Sequence, residues 1–285
     1  MLKWFTGRSA SAPLLGGVVH DGGVSLLSSH GELVQLDGWQ RSSWAALAKQ
    51  HAPARLQWVL TDPLYQIHAV DRPKVDDSEL AAALPFAVKD LVNLPIDRIH
   101  LDYFQLAVQP SGSDKLQVVV ADKTKLARLA AAQDDAGFQP GAITIEELAL
   151  VNLLPVHARP QMLLWHRPGQ PLKLLIGAEG QLLMYRQIRG FNQLDQLSNA
   201  ELEQGLVDAL YLELQRSIDY LDRQLHQPAI AGISLLLPLP QQTVIQRLLT
   251  PQLEVPIRAL TTQEHPVDHW LAHGAALERI DETSS

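Results

Sequence analysis

Two stretches of this chain carry the same punctuation, and that repetition limits the folds open to it more than any single motif does. In the first, Leu14 to His20 reads as a strand, Asp21-Gly22-Gly23 as a tight turn and Val24 to Ser28 as the returning strand. Asp-Gly is a turn pair because it supplies the positive φ that tight hairpins use. Ser29-His30-Gly31 turns the chain again before Glu32 to Leu36, whose polar and apolar residues alternate with the period of a half-buried strand. In the second stretch Met162 to Trp165, Leu172 to Ile176 and Leu182 to Ile188 are three strands joined by Pro168-Gly169 and Glu179-Gly180. Each trio is followed by a helix, a strand and a helix, so the order β-β-β-α-β-α appears twice.

In the first half the helix spans Trp39 to His51 and the strand Arg55 to Leu60. A further helix opens at Asp77, where the acid suits the helix start, and Pro85 is expected to end or kink it by removing a backbone donor. Strands follow at Ile99 to Val108 and Leu116 to Ala121, then a helix from Asp122 stopped at Gly137, then a short strand and helix over Ala142 to Leu154. In the second half Ser198 and Glu201 have capping-box spacing, and Leu202, Leu206, Leu210, Leu214, Ile218, Leu221 and Leu225 make one apolar face up to Pro228. Asp219 and Arg223 on its outer face are a structural pair. Ile230 to Leu237 is apolar enough for a central strand, with a helix over Gln241 to Thr250 and a short strand over Val255 to Leu260.

A chain of 285 residues is long for one hydrophobic core, so two domains are expected, about 1–158 and 159–285. The formal charge of −8, with no clustered lysines and arginines, argues against a nucleic-acid partner. There is no cysteine, which removes disulfides, thiol catalysis and thiolate metal sites together and suits a reducing compartment. No apolar run approaches the ~20 residues that cross a bilayer. The start, Met1-Leu-Lys-Trp-Phe, lacks the long apolar stretch of a signal peptide, and a frayed terminus explains it better than an interfacial anchor.

Two halves that each open with three hairpin-linked strands suggest an α/β protein with the duplicated actin-like, ribonuclease H-like fold: two mixed-sheet halves, the first with an inserted small subdomain. Actin, the sugar kinases and the Hsp70 chaperones share it. In that fold ATP lies between the halves, and each first hairpin supplies an acid, a glycine and a hydroxyl for magnesium and phosphate. Here the first hairpin offers Asp21, Gly22 and Gly23 but Val24 in the hydroxyl position, which reads as a vestigial phosphate loop or as a plain turn. The second, Trp165-His166-Arg167-Pro168-Gly169-Gln170, has no carboxylate, and Pro238-Leu239-Pro240 stands where a glycine pair should cradle adenosine. No other catalytic signature occurs. His269 and His273 share a helical face with Asp268 nearby, but Pro266 separates His265 and no third ligand is evident, so no metal is expected.

Several segments resemble PilM, the actin-like family of type IV pilus biogenesis, and within it the MshI branch that serves the mannose-sensitive haemagglutinin (MSHA) pilus. They are Met1-Leu-Lys-Trp-Phe, Ala83-Leu-Pro-Phe86, Leu94-Pro-Ile-Asp97, His100 to Leu106, Glu213-Leu-Gln-Arg-Ser-Ile-Asp-Tyr220 and Ala272-His-Gly-Ala-Ala-Leu277. The resemblance implies a cytoplasmic protein peripheral to the inner membrane that docks the tail of a PilN-like membrane protein and communicates with the assembly ATPase. It implies a groove beside the inserted subdomain, about 76–140 and reaching toward Pro155, with Leu84, Phe86, Val88 and Leu91 on the partner surface or in the core. The chain departs from PilM at the nucleotide site, where the degraded loops predict no catalysis and make it similar to the cytoplasmic domain of GspL. The alternative is an ATP- and magnesium-binding member of the same machine.

Overall fold

The computed structural model describes residues 12–38 and 41–277; the Met1-Leu-Lys-Trp-Phe motif and the expected helix start at Trp39 lie outside the described residues. The described chain forms two compact units. The first takes in the described residues up to Gln105, Asp114–Leu153 and those from Pro266 on; the second takes in Leu106–Ser113 and Leu154–His265.

The first unit starts with β1 (Leu14–His20), β2 (Gly23–Leu27) and β3 (Leu33–Asp37), an antiparallel meander, followed by α1 (Arg41–His51) and β4 (Arg55–Leu60). An insertion follows: β5 (Tyr65–Asp71), α2 (Asp77–Val88), β6 (Ile99–Phe104) and β7 (Lys115–Asp122). The chain then returns through α3 (Lys123–Asp135), β8 (Gln139–Ile145) and α4 (Glu146–Val151). The main sheet has the order β3-β2-β1-β4-β8, with β4 and β8 parallel to β1.

Both faces of this sheet are covered. On one, Trp44 of α1 meets Trp58 of β4 edge-on at 5.9 Å and Phe138 at 6.4 Å, and all three are buried. Trp58 donates its indole N–H to Gln133 of α3 at 2.7 Å, which satisfies the one polar group that its burial would strand. On the other face lies α8 (Val267–Leu277), against β1, β2, β4 and α4. The glycine of β1 at position 16 is required by that contact, since a Cβ there would overlap the carbonyl of Ala272. Where the sequence reading assigns 159–285 to the second half, the last described helix therefore packs in the first unit.

The insertion is a three-stranded antiparallel sheet, β5-β7-β6, with α2 on one face. Leu80, Leu84 and Val88, spaced by four, close a core with Val70, Val92, Leu116, Val118 and Val120. Its elements run from Tyr65 to Asp122, whereas the expected span was about 76–140; α3 and β8 belong to the main sheet because β8 pairs with β4. Tyr65–Asp71 carries no strand signal in the sequence, because only Tyr65 and Val70 are buried and the alternation is broken. Pro85 does not stop α2, which runs on to Val88. Burial of Leu84 and Val88 on either side of the proline offsets the lost backbone bond, a cost of about 3 kcal/mol in an isolated helix. β6 ends at Phe104, short of Val108, and Leu106–Ser113 belongs to the second unit, where Ala107 N–H donates to Leu182 O at 3.2 Å.

The second unit repeats the first. β9 (Gln161–Trp165), β10 (Leu172–Ala178) and β11 (Gln181–Ile188) form the meander. After α5 (Asn199–Glu201), α6 (Val207–Arg223), β12 (Gly232–Leu236), α7 (Leu239–Leu249) and β13 (Ile257–Ala259), the sheet order is β11-β10-β9-β12-β13. Position for position this is the order of the first sheet, with β12 and β13 parallel to β9. The repeat extends to a hydrogen bond at each entry: Pro13 O accepts from Arg55 N–H at 2.9 Å, and Pro160 O from Ala231 N–H at 2.7 Å.

The capping box is formed, with Glu201 N–H on Ser198 Oγ at 3.3 Å and Ser198 N–H on Glu201 Oε2 at 2.8 Å. The helix that follows is not continuous. Gln204 and Gly205, the latter at φ 106°, break it by a π turn over Leu202–Leu206 before α6 begins. That extra residue leaves Leu206 only partly buried while Leu202, Leu210, Leu214 and Leu221 stay in the core.

Candidate functional site

Ligands of open α/β sheets bind beyond the carboxyl ends of the parallel strands. In the first unit those ends belong to β1 and β4, and the residues there are Val19, His20, Asp21 and Leu60. Behind them is a cavity of about 130 Å³, with Leu64, Ala121, Leu126 and Leu129 as further apolar walls and Asp21 and Lys125 at its rim. Burial of so many aliphatic groups around one small space makes it suited to a single apolar side chain rather than to a triphosphate.

The turn at its edge places the three residues of the expected vestigial phosphate loop together, in a form different from the expected one. Neither Gly22 nor Gly23 adopts positive φ. Gly23 is needed because a Cβ would overlap the carbonyl oxygen of Leu36 on β3, and Gly22 O accepts from Gly38 N–H at 2.6 Å. The Asp21 carboxylate is taken by a cation of the chain itself: Lys125 Nζ donates to its Oδ1 at 2.5 Å, and this bond and charge hold Asp21 below the ordinary carboxylate range. Asp122 caps α3 by accepting from Thr124 N–H at 2.8 Å and from Arg98; burial pushes its pKa up, and these partners outweigh it and hold the carboxyl low.

Beside the turn, Asp268 of α8 is buried. Its Oδ2 accepts from Ser25 Oγ at 2.8 Å and lies 2.6 Å from His20 Nε2. In the sequence Asp268 stands out only as a neighbour of His269 and His273, and nothing in its local pattern reveals partners about 245 residues away. The rings of His269 and His273 stack at 6.4 Å. Among the described residues no group of three or more acids, cysteines and histidines is arranged to hold a metal ion.

In the second unit the corresponding strand ends are tied by the chain's own polar groups. His166 is buried with Nε2 3.0 Å from Asp195 Oδ1; burial depresses its pKa and Asp195 offsets only part of that. Pro238 caps α7 and Pro240 lies in its first turn, so the connection after β12 lacks two backbone donors. Gln242 fills the same region: its Oε1 accepts from Leu237 N–H at 3.2 Å and its Nε2 donates to Thr261 O at 2.9 Å. Gln241 Nε2 donates to Leu197 O at 2.8 Å.

The four residues of the expected partner surface separate cleanly. Leu84 and Val88 are 0 % exposed and form the core of the insertion, so they cannot contact a partner. Phe86 at 65 % and Leu91 at 52 % face solvent, as do Ala82 one turn before Phe86 and Ile96 in the loop that follows α2. A helix with four-spaced core residues must turn the intervening positions outward, and here they are apolar.

No protein-family model and no curated protein matches the sequence. Solved structures do match in shape. The cytoplasmic domain of EpsL, an inner-membrane component of the type II secretion system of Vibrio cholerae, aligns over 93% of this chain and 95% of that one, at 12% identity and a TM-score of 0.50. A PilM-PilN type IV pilus biogenesis complex aligns over 93% and 96%, at 17% identity and a TM-score of 0.55. The chain has the duplicated actin-like fold. With that fold the sheet order, repeated from β1–β8 in β9–β13, has its explanation as two copies of one topology with an insertion in the first. No described helix is long and apolar enough to cross a membrane.

Proposed function

We propose that this protein is a cytoplasmic scaffold at the inner membrane, part of a type IV pilus machine of the MSHA kind, that docks the tail of a PilN-like membrane protein. The observation that supports this reading best is the pairing of a closed hairpin turn with an apolar cavity of about 130 Å³ behind it. Asp21 is matched to Lys125, the second hairpin has no carboxylate and the turn after β12 has two prolines, which speaks against magnesium or ATP at these elements. The cavity sits where the insertion joins the main sheet, at Leu64 and Ala121, and accepts one large side chain of an extended tail; Phe86 and Leu91, exposed on the insertion, offer a separate apolar contact. The likeness in fold to a PilM-PilN complex supports this class of partner. The assembly ATPase is a second partner of the same scaffold, and the chain itself is not a catalyst.

Isothermal titration of the full chain with the tail peptide of a PilN-like protein tests this. Micromolar binding is expected, weakened at least tenfold by Leu64→Trp, which fills the cavity, and by Phe86→Asp on the surface. Mg-ATP is expected to give no thermal shift. Stabilisation by about 2.7 kcal/mol at a hundred times the dissociation constant would instead support the ATP-binding alternative. Removal of 76–155 is unsuitable as a test because it takes α3, β8 and α4 out of the main sheet.

A further inference from the structure

The outer face of α3 carries a pattern with no role in the fold. Leu126, Leu129 and Gln133 point into the unit, while Arg128, Ala131 and Asp135 are exposed and Ala132 is half-buried beside them. On a helix these four positions lie within one narrow stripe, since seven residues make nearly two turns. The stripe borders a cavity of about 270 Å³ between α1 and α3, lined by Trp44, Ala45, Ala131, Ala132 and Ala136, with Arg128 and Asp135 at its edge. Trp44 is 1 % exposed, and its indole N–H has no acceptor among the described residues, although buried donors are nearly always paired. Arg128 and Asp135 take part in no ion pair among the described residues, whereas Lys125 and Asp122 on the same helix and its cap are both engaged.

We infer that this face is a two-fold interface between copies of the chain, formed by antiparallel packing of α3 against α3 of a second copy. The charge order selects that occupant. If the helices cross between Ala131 and Ala132, Arg128 of each copy falls opposite Asp135 of the other, giving two ion pairs around an all-alanine centre. Isologous contacts require a surface complementary to itself under a two-fold axis, and one basic and one acidic residue at equal distances from a small-residue centre meet that requirement. The alanines let the axes approach to about 8 Å, the short end of helix packing, so the ridge of one helix enters the cavity of the other and brings acceptors toward Trp44. A contact of one short helix with shoulders from α1 is small, so the association is weak and concentration-dependent.

Sedimentation equilibrium of the full chain over a broad concentration range is the test. A monomer–dimer equilibrium is expected. Arg128→Asp or Asp135→Arg alone places like charges opposite each other and weakens the dimer by about tenfold or more, while the double reversal restores it. Ala131→Arg abolishes the dimer in either background. The three substituted positions are exposed, so circular dichroism and melting temperature stay near those of the parent chain. A monomer at every concentration overturns the inference. So does a dimer indifferent to Ala131→Arg, a double reversal that fails to restore association, or a stripe that binds a different protein while the chain alone stays monomeric.

Discussion

His20, at the end of the first strand, lies 2.6 Å from Asp268 on the last helix, and Ser25 of the second strand donates to the same carboxylate oxygen. The first hairpin and the last described helix, about 245 residues apart, thereby share one buried acid beside the turn at Asp21. A buried polar group is costly unless its hydrogen bonds are met, so the cluster both fixes α8 and depends on it. Asp268→Ala is expected to lower stability by about 1–3 kcal/mol, through the loss of the carboxylate's bonds with buried Ser25 and with His20. Urea unfolding measures it, and a change near zero would mean that water replaces the carboxylate freely.

Gly16 and Gly274 make the second attachment of α8. A Cβ at either would overlap backbone, the carbonyl of Ala272 in one case and of Ala149 in the other. Backbone cannot swing aside as a side chain can. Gly16→Ala is expected to destabilise by about 1–3 kcal/mol and to speed amide exchange in α8 more than in β9–β13. Equal protection loss in both units would show that α8 is not the element displaced.

The two meanders were legible because turn residues and strand periods are local properties, and Asp21-Gly22, Gly31 and Gly180 punctuate them. The capping box at Ser198 was legible for the same reason. β5 was not, since its burial is set by β7 and α2 rather than by its own alternation. The break at Gly205 was hidden because the leucine spacing continues across it. At the candidate site Asp21 could be picked out, but its partner Lys125 lies about a hundred residues on, and no pattern joins them. Leu84, Phe86, Val88 and Leu91 stand together in the sequence as an expected partner surface, yet whether an apolar residue faces inward depends on the phase of α2 against a sheet formed by distant strands, and Leu84 and Val88 are buried.

Leu84 and Phe86 are two residues apart and belong to different tasks. Leu84→Ala empties part of the insertion core and is expected to cost about 2–5 kcal/mol. Phe86→Asp changes an exposed position and is expected to shift stability by no more than about 0.5 kcal/mol while removing tail binding. Chemical denaturation and peptide titration on the two variants separate the roles. Tail binding unchanged by Phe86→Asp would confine the partner to the cavity at Leu64.

His166 links stability to pH. Burial holds its folded-state pKa below the ordinary value of 6.5, with Asp195 opposing in part, and burial acts in the same direction on His68 and His100. As pH falls through about 6.5 the unfolded chain takes up protons that the folded chain refuses. The stabilisation is therefore complete above the unfolded value and declines below it, the usual sense for a group whose folded pKa is depressed. The carboxylates held low, Asp21, Asp122 and Glu201, do not titrate in this window. The urea midpoint is expected to be lower near pH 5.5 than near pH 8. His166→Gln keeps a donor for Asp195 but cannot take up a proton, so it should flatten that decline while His68 and His100 maintain the remainder. A decline unchanged in the variant would show that protonated His166 is accommodated in the folded chain, with Asp195 compensating the burial in full.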